Sequence, residues 1–209
     1  MQRSARALAS SSALGSAASI VVPDDLDVVR AVLAGDREAF RFLVDRESTA
    51  VVRACYRVLG DMHEAEDVAQ ETFVTAYRSL ATWRGDGPFG AWLARIAVRL
   101  AVRQAGRRKA VAWARAAVGL DTDALTAIPA GPRMQPEQAA LRAERASATR
   151  RALAGLNEPY REVVALRFFG ERSLEEIATV TGRPLGTVKT HLRRGLMRLR
   201  ETLDSGGVV

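Results

Sequence analysis

Cysteine is almost missing from this 209-residue chain, with Cys55 as its only example. No intramolecular disulfide can form, so a small disulfide-stapled scaffold is excluded and a reducing compartment fits. Cys55 lies in the apolar run Val51-Val52-Arg53-Ala54-Cys55-Tyr56, where a buried, inert thiol is expected. Histidine is nearly as scarce. His63 and His191 stand far apart, and no spacing around either resembles a metal site, so neither metal nor cofactor is expected. No run approaches the ~18 consecutive apolar residues of a membrane span, which excludes membrane insertion by this chain. Alternating strand patterns are absent, as is any internal repeat of roughly 20–50 residues.

What the chain does have is hydrophobic content of 48%, enough for one ordinary core or two small ones, and a formal net charge of +7. That charge favours a polyanionic partner. Its distribution says more. Residues 61–72 hold Asp61, Glu64, Glu66, Asp67 and Glu71 with no Lys or Arg. Residues 95–115 hold Arg95, Arg99, Arg103, Arg107, Arg108, Lys109 and Arg115 with no acid. Such segregation points to two kinds of partner, one basic and one nucleic acid. The opening MQRSARALASSSALGSAASIVV has Arg3 and Arg6 ahead of an Ala/Ser-rich stretch, as a signal peptide would. Serine breaks its apolar part repeatedly and no disulfide-bearing domain follows, so residues 1–23 are expected to be a disordered tail of the mature protein.

From Pro23 to about Arg108 the pattern is helical throughout. Leu26, Val29, Ala31 and Val32 give a first helix ending near Gly35. Asp36 can cap the next, with Phe40, Leu43 and Val44 inward, and Val51 to Leu59 make a further apolar face before Gly60. Asp61 can cap a helix from Met62 to Leu80, whose predicted inner face is Ala65, Val68, Ala69, Phe73, Ala76, Tyr77 and Leu80. After the break Trp83-Arg84-Gly85-Asp86-Gly87-Pro88 a last helix runs from about Phe89 to Gly106. Residues 109–135 are punctuated by Gly119, Pro129, Gly131 and Pro132 and read as a linker. Pro136 suits the first turn of a helix reaching Gly155, and Tyr160 to Phe169 forms another. The expected fold is therefore all-α: two small helical domains, 24–108 and 136–204, joined by a flexible linker over 109–135.

The C-terminal part of the second domain carries a helix-turn-helix pattern. Ser173 can cap a short helix with Glu176 three residues on completing a capping box, and Leu174, Ile177, Ala178 and Thr181 face inward. Gly182-Arg183-Pro184 stops it. A second helix from about Thr187 has Val188, Leu192, Leu196 and Leu199 as an apolar stripe and leaves Lys189, Thr190, Arg193 and Arg194 outward near its start. In a helix-turn-helix that part of the second helix enters the major groove; a plain basic amphipathic hairpin is the other reading.

Two further constellations carry chemistry. On the helix 62–80, Glu64, Asp67 and Glu71 recur at spacings of three and four with Gln70 beside them, forming an acidic stripe opposite the apolar one. It reads as a solvated face or as a docking surface for a basic protein. No nucleophile, metal ligand or binding loop accompanies it, so an active site is disfavoured and the chain is not expected to be an enzyme. Residues 83–92 combine Trp83, Arg84, Gly85, Phe89 and Trp92 beside a basic helix, a grouping suited to stacking unpaired bases. Trp92 fits a core position equally well. Arg95, Arg99 and Arg103 recur every four residues and align along one helix face, where they can track phosphates.

Three blocks in this order resemble those of the extracytoplasmic-function (ECF) sigma factors, small promoter-recognition subunits of bacterial RNA polymerase. EAEDVAQETFVTAYR (64–78) is similar to the family's polymerase-docking helix, and WRGDGPFGAWLARIA (83–97) to its promoter-melting segment. Residues 156–201 resemble its C-terminal DNA-binding domain almost throughout. The resemblance implies a cytoplasmic, non-enzymatic factor that binds core polymerase and recognises −10 and −35 promoter elements. Glu64, Asp67, Gln70 and Glu71 would meet the coiled coil of the polymerase's largest subunit. Trp83, Arg84, Gly85, Phe89 and Trp92 would read and hold non-template bases of the −10 element, with Arg95, Arg99 and Arg103 on its phosphates. Thr187, Lys189, Thr190, Arg193 and Arg194 would read the −35 duplex. An anti-sigma factor that masks both domains until a stress signal arrives is implied as well.

The chain departs from the family pattern in places. Where Ile-Ala-Arg-Asn and then Asp are usual, it has Ile96-Ala97-Val98-Arg99 and then Arg103, exchanging polar readers for charge. Leu156-Asn157 replaces the usual Leu-Pro, and Gly195 lies inside the recognition helix, at a cost of about 1 kcal/mol relative to Ala. Two rivals compete with the sigma reading. A dimeric helix-turn-helix regulator gives no role to the acidic stripe or the Trp-rich loop. A recombinase or other nucleic-acid enzyme requires a catalytic Ser, Tyr or metal cluster within 24–108, and none is evident.

Overall fold

The computed structural model describes residues 24–117 and 136–205, and their regular structure is entirely helical. The first domain comprises α1 (Asp25–Leu33), α2 (Arg37–Leu59), α3 (Met62–Ser79), a 3-10 turn (Leu80–Thr82) and α4 (Phe89–Ala117). The second comprises α5 (Pro136–Gly155), α6 (Tyr160–Phe168), α7 (Leu174–Thr181) and α8 (Leu185–Ser205). Each start has a local cause. Asp36 accepts the N–H groups of Glu38 and Ala39 at 2.9 and 3.2 Å, and Asp61 accepts that of Glu64 at 2.9 Å. Gly60 ends α2 in the left-handed region at φ 75°, which costs a residue without Cβ nothing.

The expected elements differ from those observed at three points. Residues 37–59 form one continuous helix rather than two apolar faces. Helix α4 runs on to Ala117 instead of stopping near Gly106, because one glycine costs only about 1 kcal/mol and the residues after it are good helix formers. Part of the expected linker is thus helical. The rest of it, 118–135, and the tail 1–23 lie outside the described residues. Finally, α8 starts two residues before Thr187.

Helices α2, α3 and α4 pack against one another around Leu43, Cys55, Ala65, Ala76, Leu93 and Ala97, all fully buried. Alanines on α3 and α4 permit this close approach. The inner face of α3 is Ala65, Val68, Ala69, Thr72, Ala76. Thr72, unforeseen there, donates its hydroxyl to the Val68 carbonyl at 2.7 Å, so its burial leaves no donor unmet. Tyr77, expected inward, is 47% exposed and meets Phe40 edge-on at 4.9 Å. Cys55 is sealed in the core, and burial pushes its thiol up to about 12, an inert group as expected.

In the second domain Ser173 and Glu176 form both halves of the capping box, at 3.0 and 2.7 Å, and Gly182 terminates α7 at φ 65°. The inward stripe of α8 is Val188, Leu192, Gly195 and Leu199, whereas Leu196 is 38% exposed. Gly195 takes the place expected for Leu196 because α6 crosses there. A Cβ at 195 would lie 2.7 Å from Val164 Cγ2 and 3.3 Å from Tyr160 Cβ. Gly195→Leu is therefore expected to destabilise the second domain by about 1–3 kcal/mol through overpacking, read from the thermal unfolding curve.

Candidate nucleic-acid interface

The acidic stripe lies on the outer side of α3. Asp67, Gln70 and Glu71 are exposed, and Glu64 is half-buried. Two of the acids are bridged from α4: Arg103 donates to Glu71 and Arg108 to Glu64, each at 2.9 Å. These are surface pairs in high dielectric, worth about 0.2–1 kcal/mol each, so they release readily to a stronger partner. Asp67 carries no ion pair among the described residues.

The segment between α3 and α4 is braced from α1 and α2. Asp25 Oδ2 accepts the Phe89 N–H at 3.1 Å, capping α4 from 64 residues away in sequence. Arg46 holds the same carboxylate at 2.6 Å and Glu47 at 2.9 Å. Burial would pull the Arg46 guanidinium's pKa down, but hydrogen bonds and charge from Asp25 and Glu47 outweigh it and raise it. Gly85 turns the loop at φ 78° with the Leu26 side chain against it, so a Cβ there would meet Leu26 at 2.8 Å. Sequence reasoning missed Asp25, Arg46 and Glu47, whose contacts to the loop carry no local signal.

Within this frame Phe89 is 1% exposed and belongs to the core. That corrects its expected place among the base-contacting residues: in this conformation it supports the surface from beneath. Trp83 meets it edge-on at 5.7 Å, and Trp92 lies tilted against it at 5.5 Å. Both tryptophans are half-buried, and Arg84 is exposed. Trp92 thus serves core and surface together.

The α4 arginines are brought together, but with carboxylates. Arg95 donates through Nε to Glu162 Oε1 of α6 at 2.9 Å, and Arg99 is ion-paired with the same oxygen, its Nε 3.1 Å away. Arg183 reaches the other oxygen at 2.7 Å, and Arg95 also donates to the Val180 carbonyl. Glu162 is 4% exposed. Burial alone would raise its carboxyl; hydrogen bonds from Arg183 and Arg95 and the charges of Arg95 and Arg99 hold it below the usual range. Sequence reasoning did not single out Glu162. Its signal was an acid inside the apolar run 160–169.

On α8, Lys189, Arg193 and Arg194 are exposed and Thr187 and Thr190 half-exposed along the helix's first turns. Thr190 donates its hydroxyl back to the Gly186 carbonyl at 2.9 Å. None of the three cations is ion-paired among the described residues. A free cationic row on the second helix of a helix-turn-helix is the arrangement a major groove accepts.

Comparison with known proteins decides between the readings. Residues 43–111 match the model of Sigma-70 region 2, and residues 147–199 that of Sigma-70, region 4. The ECF RNA polymerase sigma factor SigW of Bacillus subtilis (strain 168) is 34% identical over 177 residues, covering 84% of this chain and 94% of SigW. The chain belongs to the ECF sigma factors. The RNA polymerase sigma-H factor of Pseudomonas aeruginosa is 37% identical, with 86% of this chain and 92% of that protein covered. The ECF RNA polymerase sigma-E factor of Escherichia coli (strain K12) is 34% identical, with 87% and 93% covered. Among solved structures, CnrH in complex with the cytosolic domain of CnrY superposes with a TM-score of 0.53 at 25% identity, covering 87% of this chain and 97% of CnrH. This sigma factor is accordingly a non-enzymatic subunit that binds core RNA polymerase and directs promoter-specific initiation. Among the described residues, no helix is long and apolar enough to cross a membrane.

Proposed function

We propose that the sigma factor divides its work among three surfaces. Asp67, Gln70 and Glu71, with Glu64 at the edge, dock on the coiled coil of the polymerase's largest subunit. Trp83, Arg84 and Trp92, shaped by Gly85 and underlain by Phe89, hold non-template bases of the −10 element. Thr187, Lys189, Thr190, Arg193 and Arg194 read the −35 duplex. The observation that carries this reading is the outward placement of acid on α3, with Asp67 unpaired, and of unpaired base on α8, among the described residues of one small chain. Work in the cytoplasm follows from the same reading. So does an anti-sigma factor as a partner, supported by the likeness to CnrH, whose solved structure holds the cytosolic domain of CnrY.

Each captured base that stacks on an aromatic gains about 1–3 kcal/mol, which offsets the cost of unstacking it from the duplex, so melting requires no nucleotide hydrolysis by this chain. Permanganate footprinting of a promoter with core polymerase and the sigma factor tests the assignment. Thymines of the −10 element become reactive only when both proteins are present. Trp83→Ala with Arg84→Ala is expected to cut that reactivity at least five-fold while core binding persists; full reactivity in the double variant would remove the loop from the −10 assignment.

A further inference from the structure

The second domain lies across the face of α4 whose arginines, Arg95 and Arg99, would follow −10 phosphates beside the bases held by Trp83 and Trp92, and the inference below rests on that extension of the proposed function. Val98 of α4 is fully buried, yet it packs with Leu153, Val163 and Leu166 of the second domain's core rather than with its own. Three residues before it and one after, Arg95 and Arg99 converge on buried Glu162. At the loop, Gly87 abuts Thr179 of α7. On the far side, Arg57 of α2 meets Glu171 at 2.5 Å and the Phe169 carbonyl at 3.4 Å, and the Arg150 guanidinium of α5 lies over Gly60, the C-terminus of α2. A cation there complements the helix dipole.

We propose that this seam is an autoinhibitory latch: in the free sigma factor, Glu162 occupies the arginines that would hold −10 phosphates, and Val98 plugs the second domain onto α4. Two of the residues that depart from the family pattern, Val98 and Arg99, are used by the latch. Val98 supplies an apolar plug where the pattern has Arg, and Arg99 adds a second guanidinium to Glu162 where it has Asn. The latch is releasable. Taking one partner from a buried ion cluster is costly, but separating the two domains returns all of its charges to water or to phosphate at once. The seam already opens into a cleft of about 230 Å³ between Val102 and Arg103 on one side and Glu158 and Arg161 on the other. Asp67 and Gln70 stay exposed in the latched chain, so the DNA face is guarded and the docking stripe is not.

A cross-link tests this in the full-length protein. A Cβ on Gly87 would lie 3.7 Å from that of Thr179, within the ~3.5–4.5 Å that a disulfide spans. Gly87→Cys with Thr179→Cys is expected to form an intramolecular disulfide under mild oxidation without denaturant, seen as faster migration on a non-reducing gel; Cys55 is too deeply buried to compete. The oxidised chain is expected to support at least ten-fold less run-off transcription with core polymerase than the same chain after dithiothreitol. Adding Val98→Arg, the residue of the family pattern, is expected to slow disulfide formation at least five-fold. The latch is refuted if no disulfide forms, if oxidised and reduced chains transcribe equally, or if Val98→Arg leaves the rate unchanged. Cross-linking is read without polymerase, so it decides the latch even if the unsubstituted chain proves unable to direct transcription, a result that would instead count against the assigned function.

Discussion

Replacing Asp67 and Glu71 with lysine is expected to abolish binding of the sigma factor to core RNA polymerase, a loss of at least a hundred-fold or about 2.7 kcal/mol. Both side chains are exposed on α3, one turn apart, so the double variant turns two negative charges into two positive ones on a single surface. Like charge against a basic partner costs on-rate and affinity together. The fold should survive. Among the described residues only Glu71 of the two has a partner, Arg103 at 2.9 Å, and a half-exposed pair of that kind contributes little to stability. Duplex affinity through α8 lies on another element and should be unchanged. Core binding measured by size-exclusion co-migration, with far-ultraviolet circular dichroism as the check on folding, gives the answer; retained co-migration removes α3 as the docking surface.

The second large effect is expected at the other end of the chain. Arg193→Ala should weaken binding to the cognate −35 duplex by about 1–3 kcal/mol if the guanidinium reads a guanine edge in bidentate fashion. Arg193 is exposed on α8 and, among the described residues, has no ion pair to satisfy first. Its contribution is therefore available in full to a nucleic-acid partner. Fluorescence anisotropy against cognate and scrambled duplexes separates the two roles the residue could have. A loss confined to the cognate duplex marks base reading. An equal loss on both, with a shallower dependence on salt, marks a phosphate contact.

How much of this was legible depended on distance along the chain. The caps at Asp36, Asp61 and Ser173 were readable because their partners lie two or three residues away. The docking stripe and the free cations of α8 were readable for a related reason, since a helix turns spacing directly into a shared face. The stripe of α8 was misjudged by one position. A glycine has no hydrophobicity to register, and only the crossing of α6 shows that Gly195 faces inward. The last helix was ended near Gly106 and the stretch from 109 to 117 read as linker because that glycine resembles a stop, although nothing else there opposes a helix. What the sequence could not disclose was pairing over long separations. Asp25 braces Phe89 across 64 residues, and Glu162 meets Arg95 across 67. Arg95, Arg99 and Arg103 were correctly seen to share a face, yet that face is turned toward carboxylates of the protein itself.

The pattern at Val98 shows why a departure from a family motif is best weighed in three dimensions. Read in sequence, Val98 and Arg99 alter base preference at the −10 site and exchange a polar reader for charge. In the fold they sit where α4 meets the second domain, one apolar and one charged, and the same exchange becomes a gain of contact.

Run-off transcription with purified core polymerase over a library of promoter sequences tests the central claim most directly. The account predicts start sites that depend on the sigma factor, sharing one upstream and one downstream element, and vanishing with the Asp67→Lys, Glu71→Lys chain. Transcripts that are identical with and without the unsubstituted chain, at concentrations where it co-migrates with core, would contradict it.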